Sequence, residues 1–267
     1  MARKRYANKT VLTVYLVLRA LVILTAVRAI FRRDFESLML CVLTLVLLIL
    51  PSILEKRLRI ELPNTLEVII LFFIYAAEIL GEINNFYVIV PHWDTMLHTF
   101  NGFACAAIGF ALVDMLNRTE RFTFKLTPLF LAIVAFCFSM TIGVLWEFFE
   151  YGADHFFPVD MQKDAIVTRF SSVALDKTHS NKAIMVSDIS DVIIVHSDGS
   201  SEALGVGGYL DIGINDTMKD LLVNLLGAVI FSIIGYIYVK QRGQGRFAAR
   251  FIPRVLMMDE IKRNNSR

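Results

Sequence analysis

Three pairs of ionisable residues stand at the edges of long apolar runs: Asp94 with His98, Glu147 with Glu150, and Asp216 with Asp220. Members of each pair are three or four residues apart, so in a helix each pair lines one face. Ionisable groups at membrane depth are costly, and they face a protein interior or a functional site. Five carboxylates and one imidazole in a low-dielectric site cannot all ionise without compensation. Either a cation binds, or some acids stay protonated, or an arginine neutralises them. An oxygen-rich set with one histidine suits a hard or borderline divalent ion such as Mg²⁺, Mn²⁺ or Zn²⁺. On that reading Asp94, His98, Asp216 and Asp220 are the metal ligands, and Glu147 or Glu150 is the general base.

Polar neighbours extend the pattern. Asn101 continues the face of Asp94 and His98, and Asn224 lies roughly 12 Å deeper than Asp216 at 1.5 Å per residue. Gly102, Gly143 and Gly227 fall near these groups and would let helix backbones approach closely. The expected site is a funnel with acids at its rim and amides at its floor. Arg28, and Arg19 deeper down, are the internal candidates for charge compensation, unless Glu78 pairs with Arg28 structurally. Each pair alone is a weak signal, because an aspartate before a span is also a common helix cap. Their joint occurrence at one membrane face carries the argument.

The elements that must position these groups are membrane spans. The hydrophobic fraction is 56%, with 21 Phe and only 6 Pro, and the mean hydropathy is +0.58. The apolar runs predict an all-α polytopic membrane protein with six spans, about 11–31, 37–54, 66–81, 95–116, 128–150 and 219–240. Six such runs are hard to bury in a soluble helical protein. Lys and Arg concentrate at the N-terminus (Arg3, Lys4, Arg5, Lys9), at Lys56, Arg57 and Arg59, at Arg118, Arg121 and Lys125, and after Val239. Alternate loops share a side, so both termini are expected in the cytoplasm and the three pairs on the opposite face. The first run is not expected to be a cleaved signal peptide, because Arg19 and Arg28 interrupt it and no small-x-small site follows.

Between the fifth and sixth spans, residues 151–218 form an extracytoplasmic insertion. Ala183 to Val186, Val192 to Val195 and the stretch from Ile166 to Leu175 predict short strands, with a turn at 197–200. Gly205, Gly207, Gly208 and Gly213 suggest a tightly turned return to the last helix. The segment 241–267 is a basic cytoplasmic tail, where Phe247, Phe251, Val255 and Leu256 interleave with Arg246, Arg250 and Arg254. That pattern suits a segment lying on the inner leaflet as well as a solvated tail. Cys41, Cys105 and Cys137 fall inside apolar spans and read as packing residues without disulfide roles. The net charge of +2 is segregated by side, and no nucleic-acid partner is expected.

Three stretches carry a resemblance. They are Trp93-Asp94-Thr95-Met96-Leu97-His98 with Gly102, then Gly143-Val144-Leu145-Trp146-Glu147-Phe148-Phe149-Glu150, then Asp216-Thr217-Met218-Lys219-Asp220-Leu221 with Asn224 and Gly227. They resemble the YjdF-like bacterial inner-membrane proteins over about 90–240. The order of motifs is similar, more distantly, to that of the VanZ-like proteins linked to glycopeptide-antibiotic resistance. Where VanZ-like proteins often carry Gln after the Glu, this chain has Glu150, and the insertion at 158–210 departs from the short forms. The resemblance implies a multi-pass protein of the bacterial inner membrane and supports the site's location. It supplies no reaction.

Two function classes remain open. One is a membrane-embedded, metal-dependent enzyme or binding site acting on a lipid-linked or envelope substrate. The other is a non-enzymatic transporter or structural envelope protein, using the same acids for proton or ion binding or for helix packing. Against transport, the sequence shows no inverted repeat and no matched pair of broken spans.

Overall fold

Apolar runs without internal proline become helices, and polar caps and prolines set their ends. The computed structural model describes residues 9–58, 60–117, 126–157, 159–241 and 248–255. Arg3, Lys4, Arg5, Arg59, Arg118, Arg121, Lys125, Arg242, Arg246, Phe247, Leu256, Lys262, Arg263 and Arg267 lie outside these. Helix α1 (Lys9–Arg32) ends before Asp34, which opens α2 (Phe35–Leu47) by accepting hydrogen bonds from Ser37 N at 3.0 Å and Ser37 Oγ at 2.6 Å. The apolar run then breaks at 48–49 and resumes as α3 (Leu50–Leu58). Pro51, with no N–H to return to the preceding turn, sits just after that break.

A two-residue strand, β1 (Ile60–Glu61), leads into α4 (Asn64–Tyr75). Helix α4 passes without interruption into a π-helical segment, Ala76–Ile83. Together they cover the run expected at 66–81, which is not among the helices long and apolar enough to cross a membrane. A short α5 (Phe86–Ile89) precedes α6 (Trp93–Asn117), and Thr127 and Pro128 open α7 (Pro128–Phe156), with Thr127 Oγ1 accepting from Phe130 N at 3.2 Å. The last long helix is α8 (Ile214–Lys240). Among the described residues five helices are long and apolar enough to cross a membrane: α1, the α2–α3 run, α6, α7 and α8. Large apolar side chains on them stay exposed, including Leu24, Phe31, Met39, Leu129, Phe148 and Leu222. A surface of that kind belongs in lipid.

The chain divides into two units, residues 1–144 with 220–267 and residues 145–219. The core of the first is built from Leu18, Val22, Cys41, Leu48, Ile60, Leu66, Leu71, Phe110, Leu131 and Phe231, all fully or nearly fully buried. It also takes in part of the C-terminal segment. There a turn at Ala248–Arg250 is followed by β8 (Arg254–Val255), which pairs antiparallel with β1, Ile60 opposite Val255 and Glu61 opposite Arg254. Phe251 meets Phe103 edge to face at 5.4 Å, and Ile252 is 8% exposed. Within this segment Phe251 is half-buried and Ile252 and Pro253 are buried, while Ala249 and Arg250 are exposed. Phe251 and Ile252 join the aromatic core.

The second unit holds the end of α7, the insertion and the start of α8. Six short strands form three two-stranded antiparallel sheets: β2 (Ile166–Val167) with β7 (Tyr209–Leu210), β3 (Phe170–Ser172) with β4 (Ile184–Val186), and β5 (Ile193–Val195) with β6 (Ser201–Ala203). The strands expected at 183–186 and 192–195 are present, and Gly199, at φ 86°, turns the second into β6. The expected stretch at 166–175 is two strands and a 3-10 turn, Val173–Leu175. Helices reach further in than the sequence suggested, α7 to Phe156 and α8 from Ile214. Asp211 explains the early start of α8, because its Oδ2 accepts from Asn215 N at 2.8 Å and its Oδ1 from Gly213 N at 3.3 Å. Burial pushes the Asp211 carboxyl up, and the hydrogen bonds from Ala165, Asn215 and Gly213 outweigh it, so the net shift is downward.

Candidate functional site

Helix α6 brings Asp94 and His98 onto one face because they are four residues apart, and α8 brings Asp220 to them. His98 Nε2 lies 3.5 Å from Asp94 Oδ1 and 3.9 Å from Asp220 Oδ2. One ligand atom from each of the three residues lies within 4.8 Å of the other two. Donors bound at 2.0–2.2 Å around a tetrahedral ion stand about 3.4 Å apart, so this triad needs only a small contraction to hold one. Exposure is graded across it: 28% for Asp94, 12% for His98 and 2% for Asp220. Asp94 is the open side of the site and Asp220 its closed side.

Beneath the triad lies a layer of amides. Asn101 Nδ2 donates to Asn224 Oδ1 at 3.5 Å, and Asn224, 1% exposed, turns its own Nδ2 to Met140 Sδ at 3.6 Å. Cys105 Sγ donates to Asn101 Oδ1 at 3.5 Å. On each of α6 and α8 an amide thus follows the acid of the triad, Asn101 after Asp94 and Asn224 after Asp220.

Glycines make the crossing possible. A Cβ on Gly102 would run into the carbonyl oxygen of Asn224, and one on Gly227 into that of Thr99. Both obstacles are backbone, so neither can swing aside. On α7, a Cβ on Gly143 would stand 2.6 Å from Asn224 Nδ2, so that glycine makes room for the amide itself. Ser139 Oγ, one turn earlier on α7, donates to Gly102 O at 2.7 Å and ties the third helix to the crossing. The sequence reading passed over Ser139 and the contact of Cys105. The four-residue spacing of Ser139 and Gly143 was the available signal.

Other expected site residues are placed differently. Glu147 and Glu150 belong to the second unit, where they are 4% and 8% exposed, and Trp146 Nε1 donates to Glu150 Oε1 at 2.8 Å. Asp216, also in that unit, accepts from Lys163 N at 3.0 Å and from Lys219 Nζ at 3.5 Å. It joins no metal-capable group among the described residues, so three of the four expected ligands stand together. The reason is its partners: the acid in the first turn of α8 is drawn to the Lys163 backbone N–H of the insertion and to a lysine one turn away. Arg28 is exposed. Glu78 has Glu82 as its charged neighbour, and no Arg28–Glu78 ion pair is present among the described residues. Arg19 packs over the Tyr15 ring at 5.4 Å.

Known proteins bear on the chain as a whole. An uncharacterized protein of Thermotoga maritima is 27% identical over 108 residues, which is 40% of this chain and 54% of that protein. The match spans about half the length of that curated relative. No solved structure matches. Residues 11–241 match the family described as "Predicted membrane protein (DUF2238)", which takes in the triad, the amide layer and the insertion alike. The chain belongs to this family of predicted membrane proteins.

Proposed function

We propose that Asp94, His98 and Asp220 bind a divalent cation, and that this centre serves a membrane-embedded enzyme acting on a lipid-linked or envelope substrate. The observation that carries the reading is the convergence of two carboxylates and one imidazole from two helices, graded from open to buried. Mg²⁺, Mn²⁺ and Zn²⁺ all suit this donor set, and such an ion polarises a phosphoryl or carbonyl oxygen and lowers the pKa of a bound water. The chain's own residues supply the rest. His98 Nε2 and the two carboxylates would hold the ion, and Asn101 and Asn224 brace the helices that carry them. Glu147 or Glu150 is the proposed general base, on the strength of two buried carboxylates three residues apart on α7.

On this reading the chain is a YjdF-like protein of the bacterial inner membrane, its termini cytoplasmic and 151–218 outside. The Lys/Arg distribution supports that orientation. The VanZ-like likeness receives no support from the family or the Thermotoga relative.

The test is the metal content of detergent-purified protein by mass spectrometry, for wild type and for His98→Ala and Asp220→Ala. Near-stoichiometric divalent metal that disappears in both folded variants is the expected result. A wild type that takes up none of the three ions would overturn the reading. One observation favours a second interpretation: the amide layer and the glycine crossing are also what a purely structural polar network needs. In that case the acid variants lose stability and nothing else.

A further inference from the structure

The C-terminal segment 248–255 is held differently from everything around it. A spanning helix satisfies its backbone internally, whereas β8 is tied to β1 by two residue pairs. Phe251, Ile252 and Pro253 carry its packing, while Ala249 and Arg250 are exposed. A short, partly exposed segment without a helix's internal bonds opens before the body of a fold does.

Its point of attachment is close to the site. Phe251 packs on Phe103, and Phe103 meets Phe231 of α8 edge to face at 5.2 Å. Phe103 follows Gly102 directly, and its backbone N borders the position where Gly227 has no Cβ. The ring that Phe251 supports therefore belongs to the α6–α8 crossing. That same crossing sets the His98–Asp220 and Asn101–Asn224 contacts.

We propose that residues 248–255 are a releasable strap: docked, they press α6 against α8 and hold the polar site together, and released, they let the crossing loosen. The metal reading above enters only one arm of the test.

Native Cys105 reports on the crossing, since its thiol is packed in the amide layer against Asn101. With Cys41 and Cys137 replaced by alanine, the labelling rate of Cys105 by N-ethylmaleimide is measured in detergent. Phe251→Ala, which empties the space beside Phe103, should speed labelling about tenfold or more while the protein stays monodisperse. A second variant guards against misfolding. Glu61→Cys with Arg254→Cys places thiols at facing strand positions, and facing Cα atoms at about 4.5–5.5 Å are within disulfide range. Oxidising that pair should slow Cys105 labelling relative to its reduced form. Unchanged labelling in folded Phe251→Ala, or equal rates for the oxidised and reduced pair, would overturn the strap.

Mn²⁺ binding, followed by electron paramagnetic resonance, is the separate arm. Phe251→Ala should weaken it about tenfold, and an unchanged affinity would remove the strap's control of the site. If wild type binds no Mn²⁺, the metal reading fails by itself, and the labelling arm still decides the strap.

Discussion

Asp220 and Asp94 flank the same imidazole, and their surroundings make them unequal. Asp220 is 2% exposed and Asp94 is 28% exposed, so a charge removed from Asp220 is lost where water cannot replace it. Asp220→Asn should therefore lower Mn²⁺ affinity about 10–100-fold and Asp94→Asn by clearly less, read by calorimetric titration of the purified protein. Equal losses would mean that the graded burial has no bearing on binding. A different carboxylate governs acid behaviour in the insertion. Hydrogen bonds from the Thr178 hydroxyl, from the Lys182 and Thr178 backbone and from Ser180 hold the Asp176 carboxyl well below its ordinary value of 3.8. Because folding depresses this pKa, its stabilisation is complete above the ordinary value and is lost as pH falls through the folded one. Backbone protection of 178–182, corrected for intrinsic exchange, should decline in acid. In Asp176→Asn it should be lower at neutral pH and no longer fall with acid.

At the scale of elements the site is a crossing of two helices with a third laid against it. Gly227→Val would drive a branched side chain into the Thr99 carbonyl, which cannot move without α6. It should cost about 1–3 kcal/mol, at about 2–4 °C of Tm per kcal/mol, and weaken cation binding with it. Gly143→Ala is the contrasting case, because the obstacle there is the tip of the Asn224 side chain. Its melting temperature should hold near wild type while Asn224 is displaced. How far such features could be read from sequence varies for physical reasons. Five of the six expected spans, the two helix faces and the glycines were legible, because hydropathy and a 3.6-residue period are local properties. Asp216 and Asp220 share one face, and only the position of Lys163 N, 53 residues earlier in sequence, separates the capping acid from the buried one. The seating of Phe251 was not legible either. A short strand carries no register of its own, and its partner lies almost two hundred residues away at Ile60.

For the whole molecule the open quantity is orientation, and charge is the argument for it. Lys56, Arg57 and Arg59 follow the second span and Arg118, Arg121 and Lys125 follow the fourth, whereas 82–94 has neither Lys nor Arg. The first loop on that poorer side contributes only Arg32 and Arg33. Moving a basic loop across the membrane during insertion is unfavourable, so the richer loops should remain in the cytoplasm and the site should open outward. Two single-cysteine variants in a background without native cysteines test this in intact cells with a membrane-impermeant maleimide. Ser200→Cys sits in the exposed turn between β5 and β6, and Arg57→Cys near the end of α3. Labelling of position 200 and not 57 before lysis, and of both after it, is the expected pattern. The reverse pattern would place the open side of the Asp94 site in the cytoplasm. A lipid-linked substrate of the outer leaflet would then be excluded, even with the metal chemistry intact.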